Sequence, residues 1–296
     1  MELKKLTESV YYIPSSTNIG VIRAGNSAIL IDSGVDEEVA KKILKTLEEH
    51  GMTIRSIINT HSHADHCGGN KYIKTRTNAS IYAPEIESAI IQWPFFEPFS
   101  FFSGARPLSD LENKFLMAQP SSVDYIITKE EKLKLEEVEV RIVRLPGHSP
   151  NQIGIEADNI LFCGDALFSE EVIRRHKIPF FTDIEKELET LKFLAGSKYR
   201  FYVPSHATPS KSLIELVEEN RRTISEIEKF ILENLGSRKT TEQVLRDICA
   251  TYQIEIKGAQ QYYLMNTTIM AYLSYLHKRG SINFKVEKNA LLWEKN

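Results

Sequence analysis

His61-Ser-His-Ala-Asp-His66 brings three imidazoles and a carboxylate within six residues. The apolar run at 54–59 just before it reads as a buried strand, so the cluster falls at a strand-to-loop junction. Such a junction can aim several side chains at one point, and imidazole and carboxylate are ligands that suit zinc or iron. The same arrangement recurs three times downstream. Gly147-His148, Gly164-Asp165 and Ser205-His206 each follow an apolar run, at 138–145, 159–163 and 201–203. Pro146, Gly147, Gly164 and Pro204 allow tight turns there. Upstream, Ala28-Ile-Leu-Ile31 ends in the turn signal Asp32-Ser-Gly34. One buried histidine is usually hydrogen-bonded core, but five in register with two aspartates call for a metal. His50, His176 and His277 lie outside the pattern and read as ordinary residues, His50 at a helix end where a cation is favoured.

Around these positions the chain alternates strand and helix signals. Strands are expected at 10–13, 19–22, 28–31, 54–59, 81–83, 138–145, 152–156, 159–163 and 201–203. Val39, Ile43, Leu44 and Leu47 recur at helical spacing over 36–49, with Asp36 as N-cap and Gly51 as stop. A further helix is expected at 184–194, and a long amphipathic one at 210–235. Two rounds of alternation favour a layered α/β domain with helices covering sheet. Beyond Gly236 the character changes: helices at 242–252 and 267–278 precede strands at 282–286 and 290–293. This order predicts a catalytic domain over 1–235 and a small winged-helix-like domain over 236–296. The segment Trp93-Pro-Phe-Phe-Glu-Pro-Phe-Ser-Phe-Phe102 reads as non-helical because of its prolines. Its aromatics fit a lid or an interface better than plain core.

Asp32, the stretch Thr60-His-Ser-His-Ala-Asp-His-Cys-Gly-Gly69, His148, Asp165 and His206 resemble the five ordered motifs of the metallo-β-lactamase superfamily. The resemblance covers roughly residues 10–235. Pro146-Gly-His-Ser-Pro-Asn151 and Leu161-Phe-Cys-Gly-Asp-Ala-Leu-Phe168 look most like its glyoxalase II-like branch. The resemblance implies a four-layer αββα sandwich and two metal sites. His61, His63 and His148 would hold one ion, Asp65, His66 and His206 the other, and Asp165 would bridge them. Asp32 would brace the histidine loop from behind, although a plain turn residue is the alternative reading. Two zinc ions are the expected cofactors, with iron or manganese as alternatives. A metal-bound hydroxide would attack a thioester or related acyl group, and Asp65 or a metal-bound water would supply the leaving-group proton. No Gly-x-Ser-x-Gly elbow competes. The basic glutathione-anchoring segment of glyoxalase II is not matched by Arg221-Arg222, which weighs against S-lactoylglutathione itself.

Composition bounds the rest. The 296 residues carry a net charge of −3, which gives no general attraction to nucleic acid or anionic membrane. Residues 236–296 hold nine Lys/Arg against five acids, a local +4. An endoribonuclease or phosphodiesterase using that segment for RNA is therefore the runner-up, and dispersed surface charge is the simpler explanation of the same residues. An iron-dependent oxygenase or a non-catalytic sensor comes third. Cys67, Cys163 and Cys249 are too few and too scattered for a disulfide framework, and Cys67 reads as a small buried residue rather than a redox thiol. With no secretory leader or membrane span recognised, a cytoplasmic protein is expected. A homodimer through the aromatic segment or the long helix is plausible from sequence.

Overall fold

The computed structural model describes residues 1–129 and 131–296. Seven strands form the first sheet, in chain order: β1 (Lys4–Lys5), β2 (Val10–Ile13), β3 (Ile19–Ala24), β4 (Ser27–Ile31), β5 (Thr53–Ile58), β6 (Ser80–Pro84) and β7 (Tyr125–Ile127). The first four pair antiparallel through short turns. From β4 onward the pairing is parallel. Parallel neighbours need crossovers, which α1 (Glu37–Glu49) supplies between β4 and β5. The one-turn α2 (Ala64–Cys67) and α3 (Asn70–Thr77) supply the next, and α4 (Glu85–Gln92) and α5 (Phe96–Phe101) lie between β6 and β7. The second sheet runs β12-β11-β10-β9-β8, built from β8 (Lys132–Leu135), β9 (Val138–Arg144), β10 (Ile153–Ala157), β11 (Ile160–Gly164) and β12 (Phe201–Pro204). Among the described residues, β11 and β12 are its one parallel pair.

The sheets face each other across an apolar layer. Ile22, Ile29, Ile31 and Ile58 of the first meet Val140, Ile142, Ile155 and Phe162 of the second. Gly20 is required at one point of closest approach, where a Cβ would stand 2.6 Å from the Phe162 ring. Alternation along each strand sends the other side chains outward, so Val21, Leu30 and Ile57 lie under α1 and α3. Asp36 caps α1 by accepting the N–H groups of Glu38 and Val39, as its sequence predicts. The outer face of the second sheet is covered by α6 (Glu170–His176), α7 (Ile184–Gly196), α8 (Ile214–Asn234), α9 (Thr241–Tyr252) and α10 (Ala259–Lys278). The result is the expected helix–sheet–sheet–helix order. A hairpin of β13 (Ile282–Glu287) and β14 (Ala290–Lys295) ends the chain. Apolar side chains of α9 and α10 belong to the same buried cluster as those of α7 and α8.

Several elements depart from the sequence reading. The aromatic segment contains a helix, α5, despite Pro98. Pro98 is the third residue of that helix, where an N–H has no intrahelical partner to lose. The long helix begins at Ile214 rather than 210, because Ser210 exchanges backbone hydrogen bonds of 2.7 and 3.0 Å with Tyr202 and stays extended. Conversely, α10 starts eight residues before the position expected at 267. Its early residues Tyr262, Tyr263 and Leu264 pack against other elements and give no clean amphipathic stripe. Among the described residues, no helix is long and apolar enough to cross a membrane.

Candidate metal centre

Five of the strand ends are β4, β5, β9, β11 and β12, and the segments that follow them carry Asp32, the 61–66 cluster, His148, Asp165 and His206. Backbone hydrogen bonds join the two sheets at this edge, from Ile153 N to the Thr60 carbonyl at 3.0 Å and from Asn18 N to the Ser205 carbonyl at 2.9 Å. Strands that share a rigid frame thereby present their C-terminal loops to one another.

The seven expected ligands converge. His63 Nδ1 lies 3.0 Å from His61 Nε2 and 2.9 Å from His148 Nε2. His206 Nε2 lies 3.3 Å from Asp65 Oδ2, and His66 Nε2 lies 3.7 Å from the same oxygen. Asp165 stands between the groups: its Oδ2 is 3.5 Å from His148 Nε2 and 3.2 Å from His206 Nε2, and its Oδ1 is 3.2 Å from His66 Nε2. Ligand atoms of each triad, His61–His63–His148 and Asp65–His66–His206, lie within 4.8 Å of one another.

Each imidazole is held from behind through its other nitrogen. His66 Nδ1 donates to Asp32 Oδ2 at 2.8 Å, His148 Nδ1 to the Phe180 carbonyl at 2.9 Å and His206 Nδ1 to the Ser16 carbonyl at 2.9 Å. Asp32 also accepts the Thr60 N–H and hydroxyl, both at 2.8 Å. With its proton so committed, the Thr60 oxygen accepts from His61 Nδ1 at 3.0 Å. Glu97 Oε1 stands 3.5 Å from His63 Nε2. These partners fix which nitrogen keeps its proton and which turns a lone pair inward.

The inward atoms fit a metal. His66 Nε2 and Asp165 Oδ1 are buried, and among the described residues neither has a hydrogen-bond partner. Buried polar atoms are normally satisfied, so these unpartnered atoms, aimed at one another, fit a cation between them.

Electrostatics divides the cluster. Burial, reinforced by the neighbouring imidazoles, holds His61 well below its ordinary value. Burial likewise holds His63 and His148 down at about 4, against the pull of nearby carboxylates. His206 is pushed up to about 10, chiefly by Asp165. Burial opposes protonation of His66, but Asp165, Asp65 and Asp32 together raise it well above the usual range. Burial would also raise Asp65 and Asp165, yet the His66 and His206 cations keep both carboxyls below theirs.

The loops owe their shape to small residues and caps. Gly147 has φ near +140°, and a Cβ there would meet the Glu187 backbone at 2.5 Å. Its carbonyl accepts the N–H groups of Thr182 and Asp183 at the start of α7. Cys67 is buried, and burial pushes its thiol well up, which fits a small packing residue.

Two buried acids were not legible as site residues. Glu87, on α4, is wholly inaccessible, and Glu97, on α5, is 7% exposed. Burial, with the Glu87 charge nearby, raises Glu97 to about 8. The available signal for Glu87 was its spacing with Ser88 and Ile91, which puts a carboxylate on the apolar face of a helix. The aromatic segment borders the same side of the site. Phe180 lies 5.6 Å from both His63 and His148, and Phe101 backs it at 5.9 Å. Trp93, by contrast, is 68% exposed.

Residues 12–206 match the family model described as the metallo-beta-lactamase superfamily. The chain belongs to this superfamily. Among curated relatives of this metallo-β-lactamase-fold chain is a protein named hydroxyacylglutathione hydrolase from Rhodospirillum rubrum, 28% identical over 137 residues, or 46% of this chain and 42% of that one. Another of the same name, from Buchnera aphidicola subsp. Schizaphis graminum, is 28% identical over 169 residues, 57% of this chain and 53% of that one. The chain thus spans about half the length of the curated relatives it matches. Among solved structures, a metallo-beta-lactamase family protein from Thermus thermophilus superposes with a TM-score of 0.76 at 18% identity, covering 99% of this chain and 100% of that one. At that identity the likeness establishes the fold, and it extends through residues 236–296.

Proposed function

We propose that this chain is a binuclear metal-dependent hydrolase acting on a thioester or a related acyl substrate. The observation that carries the reading is the position of Asp165, whose two oxygens are shared between the triads. One ion would sit on His61, His63 and His148, the other on Asp65, His66 and His206, with Asp165 bridging. Zinc is the expected metal, and iron or manganese would fit the same donors. Bound there, such ions would polarise the scissile carbonyl and acidify water to a pKa near about 7.

The chain's own residues would do the rest. Asp65 is the most exposed carboxylate of the cluster, its side chain 35% exposed and steadied by the Thr17 hydroxyl at 2.9 Å. Held ionised, it would take the proton of the attacking water and pass it to the departing thiolate or alkoxide. Asp32 would keep His66 and, through Thr60, His61 in register. Phe180 and Phe101 would exclude water from the His63–His148 side and give an acyl group an apolar wall.

A thioester is favoured by the named activity of the curated relatives. RNA is less favoured, since seven of the nine basic residues in 236–296 already pair with acids of the protein, as Arg238 does with Glu287 and Glu294. We assign the catalytic unit to 1–235. We treat 236–296 as a cover that braces the site, because Thr268 on α10 accepts the Phe181 N–H and Tyr263 packs on Phe102. Three free, buried cysteines suit the reducing cytoplasm.

The test is zinc-loaded protein assayed against S-lactoylglutathione, several acyl-CoA thioesters, a chromogenic cephalosporin and a labelled single-stranded RNA, with His148→Ala as control. Thioester turnover that falls at least about a hundredfold in the control supports the proposal. RNA cleavage lost in the control would replace it with the nuclease reading. No turnover on the panel would move the search to iron-dependent chemistry.

A further inference from the structure

The binding triads account for the strand-end loops but leave Glu87 unexplained. It is a carboxylate with no solvent access, on a helix outside every metal motif. It carries four hydrogen bonds. Oε2 accepts the Ser62 N–H at 3.1 Å and the Ser62 hydroxyl at 2.6 Å. Oε1 accepts the Ser149 hydroxyl at 2.8 Å and the Asn151 N–H at 3.0 Å. Ser62 sits between His61 and His63, and Ser149 follows His148. One oxygen therefore holds the loop after β5, and the other holds the loop after β9. These loops come from opposite sheets, and together they supply all three histidines of the first triad. A buried charge is costly unless it is fully hydrogen-bonded, and here the compensating donors all come from the two ligand loops. Among the hydrogen bonds described for the second triad, none goes to Glu87.

We infer that Glu87 is a positioning residue that clamps the two ligand loops together and sets the geometry of the three-histidine site, leaving the Asp65–His66–His206 site to its own supports. The inference rests on the binuclear reading for its effect on affinity, but the clamp itself is a property of the loops. A glutamine at 87 keeps the size and turns an amide NH₂ toward one pair of donors, so one loop loses its anchor. Ser149→Ala removes a single bond with little change of volume.

Site-isolated full-length proteins separate the two effects. His206→Ala leaves the three-histidine site, and His148→Ala leaves the other. Zinc affinity is measured against a competing chromophoric chelator in each background, with and without Glu87→Gln or Ser149→Ala. Glu87→Gln is expected to weaken zinc about 10- to 100-fold in the His206→Ala background, as loss of an orienting partner does. In the His148→Ala background the expected change is within about threefold. Ser149→Ala should move the same way by less. Equal losses in both backgrounds, or none in either, would overturn the inference. The metal-free proteins give a readout that does not need two ions: the Ser62 and Asn151 amide protons should exchange faster with solvent in Glu87→Gln than in the parent. Unchanged exchange refutes the clamp however many ions the parent binds. A parent that binds a single ion defeats the binuclear reading alone.

Discussion

The two triads draw on one common loop, 61–66, and share Asp165 between them, yet they present opposite electrostatics. The His61–His63–His148 group is all imidazole. Burial keeps these rings neutral, so their lone pairs already face inward before any ion arrives. The Asp65–His66–His206 group mixes imidazole with carboxylate. Without an ion its histidines are drawn toward the protonated form by Asp165 and Asp65, in a network that is buried at His66 and Asp165 and partly open at Asp65 and His206. The first site is a set of lone pairs arranged by desolvation and by a clamp from behind. In the second, protons would occupy the place proposed for a cation, and they would have to leave before one could bind.

The largest expected consequence is in the pH dependence of metal affinity. His206 is raised to about 10 and His66 well above its ordinary value, so between about pH 6 and 8 an ion entering the second site displaces protons. Affinity there should rise with pH by about tenfold per unit for each proton displaced. His63 and His148, held at about 4, are already neutral across that window, so affinity at the first site should stay nearly flat. Zinc competition titrations of His148→Ala and His206→Ala at pH 6, 7 and 8 read the two slopes directly. Equal slopes would erase the distinction between the triads.

Asp32 offers a smaller lever on the same contrast. It touches the second site directly, through His66 Nδ1, but reaches the first only by way of Thr60 and His61. It sits at φ +64°, a conformation that asparagine tolerates well, so Asp32→Asn keeps the backbone while placing an amide against one of the three donors. Zinc affinity in the His148→Ala background should fall about 10- to 100-fold, and in the His206→Ala background by less. A larger loss at the first site would mean that Thr60, rather than His66, is the group Asp32 chiefly serves.

What could be read from sequence divides along the same lines. The expected ligand positions were legible as a cluster because metal chemistry restricts residue type and because a strand end fixes where each side chain goes. His61, His63, Asp65, His66, His148, Asp165 and His206 all reach the cluster. The layer order was legible from the alternation of strand and helix, as in β4–α1–β5. The supports were not. Ser16 and Phe180 orient histidines through backbone carbonyls, which any residue type could supply. Glu87 and Glu97 come from a connection whose helices are short and whose aromatics mask the pattern. Tertiary placement gives those acids their role, and nothing in their immediate sequence announces it.

Glu97 gives the mildest test, one that concerns the wall beside the first site. Its carboxyl, buried and close to the Glu87 charge, is raised from 4.5 to about 8. A carboxyl whose pKa is higher folded than unfolded binds protons more tightly in the native state. Its contribution to stability is therefore complete below about pH 4.5 and declines as the pH rises toward 8. The decline is on the order of 1 kcal/mol for each unit crossed, before relaxation of the site reduces it. A glutamine side chain cannot ionise, so in chelator-treated protein Glu97→Gln should flatten this part of the profile and gain stability relative to the parent near pH 8. Urea unfolding at pH 5 and pH 8 measures both. If the two proteins lose stability in parallel over that interval, Glu97 is ionised throughout and paired with a histidine cation. The first triad would then carry charge, as the second does, and the asymmetry between the sites would rest on the clamp alone.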